Sequence, residues 1–423
     1  MLYAKEERKY KNNLMQQSFE REVCSLNWKR TLVILWISDL CCAMGMSLIL
    51  PFLPLYIEQL GVHQVEAVER WTGWIFASQF IVAVFFQPLW GSMADKYGRK
   101  VMLLRAGFGM GIVTALMGLV NHPWQLLVLR MINGVFSGFI SMSVSLQASV
   151  TPNEQSGRAL GTLQTGLIAG NLLGPLAGGI LAEKIGYHHI FFLTGAFLCT
   201  AGLLILFFVH EEHQPVAQVK QKNKVSWEMI KPLLPVFIAS FVTNVGMMSI
   251  EPLATVYAKT LYHGVHLEFF SGLVVSITGM ANLIGAPTLG RIGDKIGQRK
   301  VLAFALLMAA LAFIPQALAG NITTLLVGRF LLGLFIGGMV PSLNVLVKKL
   351  APTEIQGTVY GLNSSSLFLG NFVGPLIGSH VAATWGIRSV FYVTMSVLLI
   401  NSVVVYFNRF LEPNVPRERK MAS

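Results

Sequence analysis

The sequence predicts an all-α integral membrane protein with twelve transmembrane helices arranged as two parallel six-helix repeats. Of the 423 residues, 54% are hydrophobic and only 12% are charged, which is about half the charged fraction of a soluble protein. The apolar residues form long runs, and the second half of the chain repeats the first. A soluble protein of this length would need more polar surface, so lipid must cover this chain.

The charges point to a membrane orientation and not to a nucleic-acid partner. The chain has 32 Lys and Arg against 20 Asp and Glu, a net charge of +12. A nucleic-acid binder clusters its cations beside aromatic residues on a soluble domain. Here the cations lie in short gaps between apolar runs, so we expect no nucleic acid as a partner.

A membrane-spanning helix needs about 20 mostly apolar residues, and the chain contains twelve such segments. They are predicted at 31–57, 72–93, 101–120, 124–148, 159–182, 187–209, 233–258, 269–290, 301–319, 323–347, 359–383 and 388–411. The domain prediction is a polar leader (1–30), an N-terminal six-helix bundle (31–209), a linker (210–231), a C-terminal six-helix bundle (232–411) and a tail (412–423). Most Lys and Arg lie in the tails, in the linker and in the gaps on the same side, so the positive-inside rule predicts that both termini are cytoplasmic.

Motifs for catalysis, ATP hydrolysis and metal binding are missing from the sequence. There is no Gly-Lys-Ser/Thr phosphate loop, and His210-Glu-Glu-His213 lacks the spacing of zinc proteases. The four cysteines are too few and too irregularly spaced for a disulfide framework or a zinc cluster. We therefore expect no enzyme activity, no metal and no cofactor.

The two halves match each other residue by residue. The fifth-span residues Gly170, Asn171, Gly174, Pro175 and Gly178 recur 200 positions later as Gly370, Asn371, Gly374, Pro375 and Gly378. Six spans per copy leave both copies in the same orientation, so the halves are parallel repeats with a cleft between them. Rocking about that cleft is the mechanical basis of alternating-access transport, and a channel needs no such pair.

A glycine-rich motif follows the second span and recurs after the eighth. Its residues are Gly91, Asp95, Gly98, Arg99 and Lys100 in the first copy and Gly290, Asp294 and Gly297 in the second. The glycines permit a tight turn, and Asp95 can accept hydrogen bonds from a helix N-terminus; the alternative is a plain basic hairpin. With this motif, of the form G-x-x-x-D-x-x-G-R-K, the chain from Asn27 to about Leu411 resembles the major facilitator superfamily, and the motif is predicted to latch the cytoplasmic face.

Charged residues within the spans are the candidates for proton coupling. Asp39 lies about 12 Å and Arg130 about 10 Å into its span, and Glu251 lies toward the far end of the seventh. A charge at such depth needs a partner or a wet cavity. We predict that Asp39 exchanges a proton and that Glu251 is a second site; a capped Asp39 and a vestibule Glu251 are the alternatives. The resemblance implies a coupling role for Arg130, which is otherwise a structural anchor.

Small residues line one face of the fifth span. Gly170, Gly174 and Gly178 are four residues apart, with Pro175 and Gly179 beside them. This spacing lets helix backbones approach closely, and close packing alone would explain it. The pattern Gly-x-x-x-Gly-Pro-x-x-Gly-Gly also resembles the motif that marks the exporters of the superfamily.

Polar and aromatic residues on otherwise apolar spans are candidates for a substrate cavity. They are Trp36, Gln79, Phe80, Gln147, Asn244, Tyr257 and Asn344. Such a mixture suits amphipathic solutes. Helix packing is the alternative for most of them.

Finer resemblance points to one group of transporters. Asn27-Trp-Lys-Arg, the run from Pro51 to Gly61, Gly161-Thr-Leu-Gln-Thr-Gly166 and Phe330-Leu-Leu-Gly333 are similar to the twelve-helix bacterial drug:proton antiporters. The resemblance implies multidrug efflux and antibiotic resistance at the bacterial inner membrane, by a monomer driven by the proton gradient. The resemblance does not include an acidic residue at the position of Asp39 or of Glu251. Export of a self-made metabolite such as a siderophore and passive facilitation by a channel are the alternatives.

Overall fold

The computed structural model describes residues 28–152, 155–211, 227–264, 266–350 and 356–408. Within these ranges all regular structure is helical, and twelve helices are long and apolar enough to cross a membrane. The predicted fold class is therefore confirmed. The spans are α1 (Trp28–Gln59), α2 (Val65–Ala94), α3 (Arg99–Met117), α4 (Pro123–Val150), α5 (Arg158–Ile185), α6 (Tyr187–Phe208), α7 (Lys231–Leu261), α8 (Leu267–Ile296), α9 (Gln298–Ala317), α10 (Ile322–Leu350), α11 (Gly361–Trp385) and α12 (Ile387–Phe407).

The observed helices differ from the predicted spans mainly at their ends. The second span was predicted from residue 72, yet α2 begins at Val65, and α8 runs to Ile296 where 290 was predicted. The predicted spans ended where charged residues begin. A helix can continue beyond the hydrocarbon core, because its backbone hydrogen bonds form within the helix and do not require apolar side chains. The last span ends at Phe407. Most of the predicted leader and linker and the whole tail lie outside the described residues.

The two halves meet along two helix pairs. α2 packs along α11, and α5 packs along α8. The Ser276 hydroxyl donates to the Leu172 carbonyl over 2.9 Å, and the rings of Phe80 and Phe368 lie 6.4 Å apart. Residues of both halves also line a cavity, which lies between them.

Each half contains the same buried tyrosine anchor. The Tyr56 hydroxyl donates to the Met117 carbonyl at the end of α3 over 3.0 Å, and the Tyr257 hydroxyl donates to the Gln316 carbonyl in α9 over 2.9 Å. Both rings are almost fully buried. The repeat seen in the sequence is thus a repeat of tertiary contacts.

One span is broken in a way that the sequence analysis did not predict. The helical part of α4 stops at Phe136 and resumes at Phe139, with Gly138 between them at φ +111°. That backbone conformation strongly favours glycine. The sequence signal was the Ser-Gly pair inside an apolar run.

Side chains of neighbouring helices satisfy the backbone groups that the α4 break frees. Arg105 of α3 donates to the carbonyls of Val135 (3.2 Å) and Ser137 (3.0 Å). The indole of Trp90 donates to the Val135 carbonyl over 2.7 Å, and the Arg105 guanidinium stacks on that indole at 3.8 Å. A break within a span is tolerated only with such replacement partners, so this one is a built feature of the fold.

Candidate functional site

A central cavity of about 560 Å³ lies between the two halves. Side chains from both halves form its wall, which is mostly apolar, with Phe76, Phe80, Met46, Met247 and Leu332 among its members. The uncharged polar groups on the wall include Gln79, Asn133, Asn171, Thr278, Asn282 and Asn371. The charged residues on it are Arg130, Glu251 and Arg329. A mostly apolar wall with a few polar groups is typical of small-molecule sites.

Arg130 lies on the first half's side of this wall and is almost fully buried. Its Nη1 donates to Oε1 of Gln79 in α2 over 2.9 Å. One turn along α4, Asn133 donates to the Thr114 hydroxyl of α3 over 3.0 Å. The partner of Arg130 is therefore a neutral carboxamide on a neighbouring helix.

Arg329 is the repeat-related arginine of the second half and has a different partner. Its Nη1 lies 3.2 Å from Oε2 of Glu251, and its side chain is 2% exposed against 22% for the glutamate. Both residues line the cavity. The two repeats thus place one arginine each on the cavity wall, and the second of them is paired with a carboxylate.

Asp39 lies in a separate place, inside the first half. Its Oδ2 accepts a hydrogen bond of 2.9 Å from the Ser143 hydroxyl of α4, and the residue is 1% exposed. Its neighbours along α1, Leu35 and Cys42, belong to a buried cluster formed by α1, α3, α4, α5 and α6. Asp39 is not among the residues that line the cavity. The structure therefore brings Arg130 and Glu251 to one cavity and leaves Asp39 outside it.

The glycine stripe of α5 packs directly against α1. A Cβ added at Gly170 would lie 2.6 Å from the Leu40 carbonyl oxygen, and Gly174 and Gly178 meet α1 further along in the same way. Gly179 faces the backbone of α8 instead, and the carbonyl of Pro175 meets Gly272 of α8. The stripe thus lets α5 approach a helix of each half closely.

The motif at the junction of α2 and α3 is mostly helical, although most of it was predicted to follow the second span. The helix from Val65 extends to Tyr97, and only Gly98, at φ +95°, makes the turn. One acceptor at the α3 N-terminus is Glu211, whose carboxylate receives the backbone N–H groups of Arg99 (2.9 Å) and Lys100 (2.7 Å). The side chain of Asp95 lies outside the described part of the structure, so its role as an acceptor stays a prediction. Glu211 belongs to the linker predicted at 210–231, and its bonds to α3 show that the start of this segment packs on the N-terminal bundle.

The second copy of the motif has the same backbone. Gly290 and Asp294 lie within α8, and Gly297 turns at φ +100°. Oδ1 of Asp294 accepts from Nε2 of Gln298 over 3.0 Å. Oε1 of Gln298 in turn accepts from the Ser342 hydroxyl of α10. The turn is therefore tied to its own half of the molecule.

Of the seven residues predicted for the cavity, Gln79 and Phe80 line it and five do not. Trp36 donates to the Thr165 hydroxyl between α1 and α5, Gln147 donates to the Trp28 carbonyl, and Asn244 donates to the Leu367 carbonyl. Tyr257 is the anchor described above, and Asn344 lies on an exposed part of α10. Trp36, Gln147, Asn244 and Tyr257 thus contribute to contacts between helices, which is the alternative that the sequence left open.

The prediction missed several polar residues of the wall. Asn171 and Asn371 are the clearest cases, because they occupy equivalent positions of the repeat and both line the cavity. Their position in the repeat was the available signal.

Comparison with known proteins agrees with this architecture. A family model described as Major Facilitator Superfamily matches residues 35–280 and 236–422. The chain is 42% identical over 383 residues to the multidrug resistance protein MdtG of Enterobacter lignolyticus, covering 89% of this chain and 92% of that one. It is 40% identical over 383 residues to the protein of the same name from Citrobacter koseri, covering 89% and 94%.

Solved structures share the fold at low sequence identity. The D-xylose-proton symporter superposes with a TM-score of 0.76 at 16% identity, covering 92% of this chain and 98% of that one. The nucleoside transporter NupG gives 0.75 at 14%, covering 89% and 100%. The twelve spans, the repeated halves, the cavity between them and these matches lead to one conclusion: the chain is a transporter, not an enzyme, and belongs to the Major Facilitator Superfamily.

Proposed function

We propose that this protein exports amphipathic drugs across the bacterial cytoplasmic membrane in exchange for protons, by alternating access. The observation that carries the proposal is the cavity between the repeats, with an apolar wall and a few buried charges. The relatives named multidrug resistance protein supply the class of cargo. The buried carboxyl group of Asp39 supplies a place for a proton.

The halves are closed at one end of the molecule, which we call the distal face, where α1 ends. Lys259 lies 2.5 Å from Glu58 of the other half. Two further polar contacts join the halves at this face: His266 with Glu183 (2.8 Å) and Tyr187 with Glu268 (3.0 Å). We call these three contacts the distal latch.

The opposite end, where α1 begins, is the N-terminal face. The three contacts of the distal latch join the halves at the distal face, so in this proposal the cavity is loaded from the N-terminal face. The distribution of Lys and Arg assigns that face to the cytoplasm, which is the side from which an exporter takes its cargo.

Span α4 connects the cavity to the proton site. Arg130, on the cavity wall, precedes the break at Gly138, and Ser143, which donates to Asp39, follows it. A substrate that moves Arg130 can therefore change the hydrogen bond to Asp39 through a hinge in one helix. In this proposal Asp39 exchanges the proton and Arg130 transmits the presence of substrate.

Glu251, the second predicted acid, has a different role in this proposal. Its carboxylate is the counter-ion of Arg329, and a buried arginine needs such a partner. We assign Glu251 to neutralising Arg329 and assign the proton exchange to Asp39. Replacement of Glu251 by Gln then alters binding in the cavity without removing the proton coupling.

The test uses purified protein in proteoliposomes with a pH-sensitive dye. In Asp39→Asn we expect drug-induced proton movement to fall at least tenfold, because the amide has no proton to exchange at neutral pH. Ser143→Ala should change the pH at which transport is half-maximal without abolishing transport. Ser149→Ala is the matched control, since its hydroxyl donates to the Leu146 carbonyl of its own helix.

Undiminished proton-coupled export by Asp39→Asn would remove Asp39 from the mechanism. Transport that only equilibrates the drug, with or without a proton gradient, would favour the passive facilitator. If no compound of a drug panel were transported but a metabolite such as a siderophore were exported, the cargo would be that metabolite and not a drug. A reporter fused after Ser423 tests the orientation, and we expect it on the cytoplasmic side.

A further inference from the structure

Arg130 is a buried cation on the cavity wall that lacks a carboxylate partner among the described residues. Its bond to Gln79 uses Nη1 only, and Nε and Nη2 have no hydrogen-bond partner there. A buried charge is strongly destabilising unless it is paired. The unpaired charge of Arg130 lies on the wall of the cavity in which a substrate is proposed to bind.

The acids within the spans near this region are engaged elsewhere. Asp39 accepts from Ser143 and is not on the cavity wall, and Glu251 pairs with Arg329. With Glu251 ionised, the two arginines leave the described cavity wall with one net positive charge. An anionic ligand would therefore balance the charge of the cavity wall.

Arg329 adds donors on the opposite side of the same cavity. Only its Nη1 contacts Glu251, and its Nε and Nη2 are also without a hydrogen-bond partner in the described part of the chain. A guanidinium presents several N–H donors in a planar fork that matches a carboxylate or a phosphate. Each half thus contributes one such donor set to the wall.

We propose that the drugs carried by this protein are amphipathic anions, whose acid group binds Arg130 while the apolar body packs on Phe76, Phe80 and Leu332. This inference rests on the proposed function and names its substrate class. The carboxylate of Glu251 competes with the substrate for Arg329. Removing Arg130 and removing the charge of Glu251 should therefore change anion binding in opposite directions.

The experiment measures binding by isothermal titration calorimetry to the full chain in detergent. Three probes share one ring system: naphthalene-1-acetate, its neutral amide and 1-naphthylmethylammonium. We expect the anion to bind at least tenfold more tightly than the other two. Arg130→Gln should weaken binding of the anion at least tenfold and binding of the amide less than twofold, whereas Glu251→Gln should tighten binding of the anion severalfold.

Arg388→Gln is the matched control, because it removes one positive charge at an exposed position outside the cavity, where Arg388 bonds to the Ala319 carbonyl and to the Tyr257 hydroxyl; we expect anion binding to be unchanged. Arg130→Lys retains the charge without the fork and should keep part of the preference even if Arg130→Gln is poorly folded. Equal binding of the three probes, or tighter binding of the cation, would overturn the inference and leave proton-coupled export standing. Anion binding that depends on Arg130 supports the inference whatever the proteoliposome assay shows.

Discussion

At the scale of single residues, the glycines of α5 determine how closely helices approach. Gly170 leaves no room for a side chain, because a Cβ would lie 2.6 Å from the Leu40 carbonyl oxygen and 2.7 Å from the Ala43 side chain. Gly161, earlier on the same helix, faces open space. The same residue type thus has a steric role at one position and none at the other.

Gly170→Val should therefore separate α5 from α1. Inserting a large group into a packed interface costs roughly 1–3 kcal/mol, and we expect a lower unfolding temperature together with a loss of most export. Gly161→Val is the control and should leave both nearly unchanged. Thermal unfolding in detergent and drug export from the same preparations measure the two effects. Equal behaviour of the two variants would show that the stripe is not a packing interface.

At the scale of elements, α4 is the helix that joins the two candidate sites. Its two segments are held by Arg105 and Trp90 at the carbonyls that the break frees. Gly138 has no steric reason to be small, since the nearest atom to an added Cβ is the Ser141 hydroxyl oxygen at 3.6 Å. Its φ of +111° alone accounts for the glycine.

Gly138→Ala should uncouple the proton from the substrate. The left-handed backbone costs a residue with a Cβ roughly 1–2 kcal/mol, which favours closing the break into a continuous helix. We expect the ratio of protons to drug molecules moved to fall, while drug binding persists.

Gly186→Ala is the control for backbone strain alone. Gly186, at φ +78° between α5 and α6, has open space where a Cβ would be. This variant should lose similar stability and keep its coupling ratio. If both glycine variants kept the ratio of the parent protein, the break would have no part in coupling.

At the scale of the whole molecule, polar contacts at the distal face hold the halves together. Lys259 and Glu58 are both partly exposed, and an exposed ion pair contributes only about 0.2–1 kcal/mol. A weak latch suits a transporter, because the two conformations must remain close in free energy. Close contacts of α5 with α8 at Gly179 and Gly272 also join the halves.

Charge reversal at this latch should shift the balance between the two conformations. Glu58→Lys places two cations together and favours opening of the distal face, while the double variant Glu58→Lys/Lys259→Glu restores attraction. The readout is labelling of Met248→Cys, on the cavity wall, by a membrane-impermeant maleimide added from the N-terminal face, in a background without native cysteines. We expect slower labelling in the single variant and recovery in the double. The same labelling rate in the parent protein and in both variants would show that the latch does not hold this conformation.

The sequence by itself determined the twelve spans, the repeat and the glycine stripe. Each rests on a strong local signal: about twenty apolar residues for a span, coincident residues at one offset for the repeat, and a four-residue spacing for the stripe. It also identified Arg130 and Glu251, because a charge within an apolar span stands out. The short shifts at the ends of α2 and α8 arose because polar residues continue those helices.

Only the tertiary structure decided which polar groups share a site. Asp39 was grouped with Arg130, yet one is enclosed within the first half and the other lines the cavity. Trp36 and Tyr257 were predicted for the cavity and instead join helices to one another. In a span that is apolar all round, lipid and protein neighbours are equally apolar, so the sequence carries no signal for which face meets the cavity. That choice is made by helix packing, through contacts between residues far apart in the chain.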